Sequence, residues 1–453
     1  MDLTIALEKV DFVPPERCTD DASLLTLKTL ALEPLLTWSN GRVGPGLFHR
    51  LTHDGTGRRW RFEIRPGATF HDGKPCRAAD ILAFIEAILV SRDGFGMTWA
   101  YADYLAGTTL SAPSDNVVEA DTAAPFADLP EIFSEFFVAR ADENGHGTIG
   151  TGRWRVEMLA PGEHTVLEAG GRRLSFRAMP DAAARLRAVT DGTVDAALNL
   201  ERVPGPPVTV PSLIFGEALN TLSVMAYFNC RKGPFADPEL RRAANLAVDR
   251  DRLVRDVFHG RAAPASTVVS PFHHGMANRR VPPFPYNLAE ARRIVGDQRP
   301  VVTLRTPTHM PDRAPEIAQA VADDLRAAGF DVTVDLITDR PAYARQIGEG
   351  DMGDLALFDS SPHSTYRILQ DKVSAIRKGT WWQGYHNDAA DRLIEAAARA
   401  VDDDDRCEAY AAALDRLVED PPWLFLVHPV EVFAARKGIN GLSLDNKGVL
   451  NIA

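Results

Sequence analysis

The sequence predicts an α/β protein of more than one domain, on three observations. From Val301 onward short apolar strands alternate with helices. Residues 301–305 form a strand. Ile317, Val321, Leu325 and Ala328 then mark one helical face that Gly329 can close. Phe330, Val332, Val334 and Leu336 alternate at period two, and residues 354–358 form a third strand. This order argues a mostly parallel sheet covered on both faces. The second observation is the stretch 226–260. An extended apolar run, 223–229, leads through a turn at 231–234 into two helices. Asp237 can cap the first helix, and Pro238 fits its first turn, where a missing N–H costs nothing. Leu240, Ala243, Ala244 and Ala247 give that helix one apolar stripe. Asp249 can cap the second, Leu253, Val254, Val257 and Phe258 form its buried face, and Gly260 can end it. The third observation is length: 453 residues exceed what one core serves, so two or three domains are expected.

The remaining elements follow in order. Residues 3–7 read as a first strand, 13–21 as a loop and 22–36 as an apolar, helix-prone segment. Trp60, Phe62 and Ile64 alternate as in a half-buried strand. Turns follow at 65–67 and 70–73, and a helix starts near Ala78 with Ile81, Phe84, Ile85 and Ile88 inside. His71 and Asp72 sit in an Asp-Gly turn, where the aspartate has a backbone role. Residues 391–417 read as two helices. Pro421 and Pro422 end the second, and 423–427 is a buried strand.

Composition narrows the chemistry. The charge balance, 50 Lys and Arg against 62 Asp and Glu, gives −12, which disfavours nucleic acid or an anionic membrane as a general partner. The four cysteines, Cys18, Cys76, Cys230 and Cys407, are scattered and form no zinc spacing; one long-range disulfide stays open. The adjacent His273 and His274 lack a third ligand and read as loop residues. Residues 147–154 meet the glycine spacing of a phosphate loop, but Arg153 and Trp154 stand where Lys and Ser or Thr are needed. No dinucleotide fingerprint, nucleophile elbow or zinc-protease motif occurs, so neither cofactor nor resident metal is expected. No apolar run is long enough to span a membrane.

Two regions look like a binding site on physical grounds. Ligands meet α/β sheets outside the carboxyl ends of the strands, which points to Thr306 and the loop after it, and to Asp359, Ser360 and Ser361. Trp381, Trp382, Gln383 and Tyr385 share a Gly-containing loop, giving apolar area with polar tips.

Several motifs resemble the family of peptide- and nickel-binding proteins that serve bacterial ABC importers (solute-binding protein family 5). Its central pattern stands here as Phe228-Asn229, Gly233-Pro234-Phe235, Asp237, Arg241-Arg242-Ala243 and Ala247-Val248-Asp249-Arg250. A second pattern stands as Trp60-Arg61-Phe62-Glu63-Ile64-Arg65-Pro66-Gly67, Phe70-His71-Asp72-Gly73-Lys74-Pro75 and Ala78-Ala79-Asp80. Residues 147–154 and the Gly192-Thr193-Val194-Asp195 unit fit the family's return to its main sheet.

The resemblance implies a bilobal, periplasmic-binding-protein-like fold of type II with two hinge crossings. Lobe I would take 1–30, 147–220 and 428–453, with an extra subdomain over 31–146; lobe II would take 221–427. It implies capture without chemistry: a short peptide, or a peptide-like or opine-like conjugate, held for an ABC permease and its ATPase subunits by a monomeric binding protein. In the family the loop after the first strand lines the cleft, which makes Thr19 and Asp20 candidates, although Asp20 or Asp21 can equally cap the next helix. Arg92 and Trp99 could match an Arg and a Trp that contact a chelate in nickel-binding relatives. Asn229, Thr306, Asp359, Ser360, His363, Trp381, Trp382 and Tyr385 complete the ligand-contact candidates. Ser361-Pro362 replaces the Asp-Pro of many peptide binders, while Pro362-His363 is closer to nickel-binding relatives. The alternatives are a metal-chelate binder, or a cytosolic relative acting as enzyme or sensor. Family members are normally exported to the periplasm. With residues 3–7 already a strand, either an export signal has been removed or the chain is a cytoplasmic relative.

Overall fold

The computed structural model describes residues 2–19, 21–92, 98–277 and 279–452. The chain divides into two compact units, 1–218 with 431–453, and 219–430. The backbone therefore passes between them twice, at 218/219 and at 430/431.

In the first unit the strand Leu3–Leu7 lies between Arg172–Ala178 and Ala196–Ala197, parallel to both. Arg155–Ala160 and His164–Ala169 extend the sheet as antiparallel neighbours on one side, and residues 434–435 pair with Ala196–Ala197 on the other. Leu3, Ile5, Leu7, Phe12, Leu27, Phe176, Leu198, Phe433 and Leu450 build its core, so both ends of the chain meet there. The helix Ala22–Ala31 is capped by Asp21, whose carboxylate accepts from the Ser23 and Leu24 amides. It stops at Leu32, short of the 36 expected from its apolar content, because the chain turns extended and Leu36–Ser39 forms a strand. A separate antiparallel sheet orders Phe48–His53, Arg59–Ile64, Val117–Thr122 and Thr108–Ser114, with the helix Ala78–Val90 packed on it. Phe48, Phe62 and Phe133 stack in its core.

The second unit holds the βαβ elements. Val301–Pro307 runs parallel to both Asp331–Ile337 and Leu355–Ser360. The sheet is mixed rather than mostly parallel, since Ser223–Phe228 enters antiparallel to Leu355–Ser360 and to the first half of Trp423–Arg436. Every residue of Ser223–Phe228 is buried, as befits a central strand covered on both faces. The helix Pro238–Ala247 starts as its sequence dictates, with the Asp237 carboxylate accepting from the Glu239 amide. Arg241 and Arg250 are buried and hydrogen-bonded, although Arg250 Nε has no partner among the described residues. Arg241 donates to the carbonyls of Pro421 and Phe235 and pairs with Asp420; Arg250 donates to Asn245 and Val248. Burial lowers the Arg250 guanidinium to about 9. Among the described residues no helix is long and apolar enough to cross a membrane.

Candidate functional site

The carboxyl ends of the parallel strands in the second unit gather an unusual set of side chains. Phe358 is the hub. Its ring lies 5.6 Å from Tyr227, 6.2 Å from Tyr343 and 5.1 Å from Trp381, and the Arg340 guanidinium sits 4.6 Å above it. Arg340 is the first residue of the helix Arg340–Gly348, which Asp339 caps, and its Nε donates to the Met310 carbonyl at 3.1 Å. The Tyr343 hydroxyl donates to the carbonyls of Leu357 and Arg305, tying this helix to two strands. Lys372 ends the helix Thr365–Lys372, and its ammonium donates to the Ser360 hydroxyl at 3.0 Å.

Asp359 is half-buried and follows Phe358 in the strand, so its side chain projects from the opposite face. Among the described residues no hydrogen-bond donor or ion-pair partner from another residue touches its carboxylate, which meets its own backbone amide. Burial pushes it above the usual carboxylate range, against the pull of the Arg340 and Lys372 charges. A carboxylate desolvated by its surroundings and without a donor from another residue is a ready acceptor for an N–H or O–H brought by a ligand.

The other candidates divide. Thr306 is buried, and its hydroxyl donates to the Pro307 and Ala314 carbonyls, fixing the loop after its strand. Ser360 is committed to Lys372, and His363 is buried in the loop that follows. Asn229, Trp382 and Tyr385 lie at the opposite, amino ends of the same strands. Asn229 donates to the Gly353 carbonyl and accepts from the Arg231 amide, so it locks a turn. Trp382 donates from Nε1 to the Tyr385 carbonyl, with Arg231 and Lys378 at 5.3 and 5.4 Å from its ring. Tyr385 is buried, and its hydroxyl donates to the Asp420 carbonyl. The expected aromatic wall is therefore split. Trp381 alone reaches Phe358, because residues 381–385 run across the end of the sheet rather than folding beside Asp359. Arg340 and Lys372 escaped the sequence reading. The sole available signal was the position of Arg340 immediately after a strand end.

In the first unit, the Thr19 hydroxyl accepts from the Asp21 amide. Asp20 lies outside the described residues. Arg92 is exposed and bridges Thr98. Trp99 lies 5.5 Å from Tyr101, and its Nε1 is buried without an acceptor among the described residues. The two histidines at 273–274 are buried, and His273 bridges segments: its ring nitrogens lie 2.8 Å from the Ser270 hydroxyl and 2.9 Å from the Pro362 carbonyl. Among the described residues no cluster of three or more His, Cys, Asp or Glu side chains could hold a metal.

A model of the bacterial extracellular solute-binding proteins, family 5 (middle region), matches residues 42–370. The chain belongs to this family. The family 5 fold extends over its whole length. NikA from Brucella suis, solved with Fe(III)-EDTA, superimposes with a TM-score of 0.81 at 20% identity over 100% of both chains. AgaA from A. tumefaciens R10, solved with agropinic acid, gives 0.77 at 19% identity over 100% of this chain and 99% of its own. By sequence, this family 5 chain is 24% identical to the probable di/tripeptide-binding protein 5 of Pseudomonas aeruginosa, over 90% of this chain and 86% of that protein.

Proposed function

We propose that this chain is an extracytoplasmic solute-binding protein. It captures a short peptide, or a peptide-like or opine-like conjugate, and delivers it unaltered to an ABC permease and its ATPase subunits. The family match over 42–370 carries the reading. Relatives named for di- and tripeptides and for agropinic acid give the ligand range. Asp359 is the residue we assign to the ligand: its carboxylate, without a donor from another residue, takes an N–H or O–H of the solute. The protein works as a monomer in the periplasm.

A second reading is a metal-chelate binder. Arg340 and Lys372 lie within electrostatic range of Asp359 together with a second carboxylate, Asp312, so the face carries both signs of charge. The NikA structure with Fe(III)-EDTA belongs to the same fold.

Calorimetry with di- and tripeptides, opines and Fe(III)-EDTA distinguishes these readings. Saturable binding with the solute recovered unchanged is expected. Asp359→Asn should weaken peptide or opine binding about tenfold, the scale of one lost charge-assisted hydrogen bond. Steady conversion of any of these solutes to product would end the transport reading.

A further inference from the structure

The first unit contains a cavity of about 260 Å³ built entirely from its own residues and sharing none with the Asp359 cluster. One wall is the helix Ala78–Val90, which contributes Ala83, Phe84 and Ala87. Ala83 and Ala87 are one helical turn apart, so two methyl side chains leave the space that a larger pair would fill. Phe70 and Val138 add apolar surface, and the Asp80–Arg140 ion pair, 2.7 Å, closes one side. Arg140 also lies 4.1 Å above the Phe70 ring and 3.5 Å from Asp72, so its charge is already matched.

The remaining wall is Pro15 and Glu16, in the loop after the first strand. Three hydrogen bonds fix that loop. The Gly147 amide donates to Val13 at 3.0 Å, the Arg17 amide to Pro14 at 2.9 Å, and the Ser91 hydroxyl to the Glu16 carbonyl at 3.1 Å. A Cβ at Gly147 would come within 2.9 Å of the Val13 carbonyl, so this close seating needs glycine. Glu16 is thus presented on a braced backbone, and among the described residues its carboxylate has no hydrogen-bond or ion-pair partner.

We propose that this cavity binds a small organic cation with an apolar body, its ammonium group on the Glu16 carboxylate and its ring or alkyl chain against Phe84, Ala83 and Ala87. The lining charge selects the sign, since two carboxylates face one guanidinium. The volume limits the ligand to one ring or a short chain, below the ordinary range for drug-sized pockets.

Calorimetry of the full chain with 2-phenylethylammonium tests the assignment, with phenylacetate as the ring-matched anion. Binding of the cation alone is expected. Glu16→Gln should weaken it about tenfold, and Ala87→Phe, which fills the cavity, should abolish it. Both melting temperatures are followed, and the partly exposed Glu16→Gln substitution carries the test if Ala87→Phe unfolds the protein. Equal affinity for phenylacetate, unchanged affinity in Glu16→Gln, or no heat at millimolar cation overturns the proposal.

Discussion

At the residue scale, two buried histidines make the stability of the second unit depend on acid. His273 and His428 are held neutral by burial, and each titrates at about 4 in the folded protein instead of near 6.5. Because the folded value lies below the unfolded one, the unfolded chain binds protons first as pH falls. The stabilisation is complete above pH 6.5, erodes between 6.5 and 4, and is lost below 4. It amounts to roughly 3 kcal/mol for each histidine. Urea unfolding at pH 7 and pH 4.5 should therefore show a steep loss, and His273→Gln should flatten part of that dependence while lowering stability at pH 7. Trp382 gives a second test at this scale. With its Nε1 bonded to Tyr385 and cations against its ring, Trp382→Ala should destabilise the empty protein by about 2 kcal/mol, less than the 3–5 expected for a fully buried Trp. Ligand affinity should hardly change. The opposite pattern, lost affinity with an unchanged melting temperature, would place Trp382 in the solute site.

At the scale of elements, the sequence was most readable where a local cause suffices. Asp237-Pro238 marks the start of its helix, because a cap and a first-turn proline act within four residues. Asp237→Ala should accordingly cost about 1 kcal/mol in a denaturant titration. The period-two alternation of Phe330, Val332, Val334 and Leu336 likewise locates the strand Asp331–Ile337. Reading failed where distant partners decide. Residues 22–36 are apolar enough for one long helix, yet the chain breaks at Leu32 because residues 33–39 pair in short strands. The second helix of the 226–260 stretch ends at Asp256, before the expected Phe258 and Gly260. The candidate face was half legible. The position of Asp359 follows from the rule about strand ends, whereas Arg340 and Lys372 come from two helices whose placement no local pattern encodes. The Trp-Trp pair shows that composition gives the content of a loop and not the direction in which it runs: Trp381 meets Phe358 while Trp382 bonds to Tyr385.

At the scale of the molecule, the two units differ in how the chain supplies them. Residues 219–430 are continuous and include the first half of Trp423–Arg436, which pairs with Ser223–Phe228. Expressed alone, this segment should fold and unfold cooperatively by circular dichroism. Residues 1–218 alone should not, because Phe433, Ala435, Ile439 and Leu450 would be missing from the core around Leu3, Ile5 and Leu7. Adding 431–453 as a separate peptide should restore structure to 1–218, and a failure of that rescue would assign these residues a lesser role.

The same sharing of one core between the first and last residues governs events during synthesis. Leu3, Ile5 and Leu7 emerge from the ribosome more than four hundred residues before their packing partners Phe433 and Leu450. The amino-terminal half must then remain loose, with sticky edges uncovered, while more than four hundred codons are read. A polypeptide arranged in this way closes its first core last, after the continuous segment 219–430 has already been made.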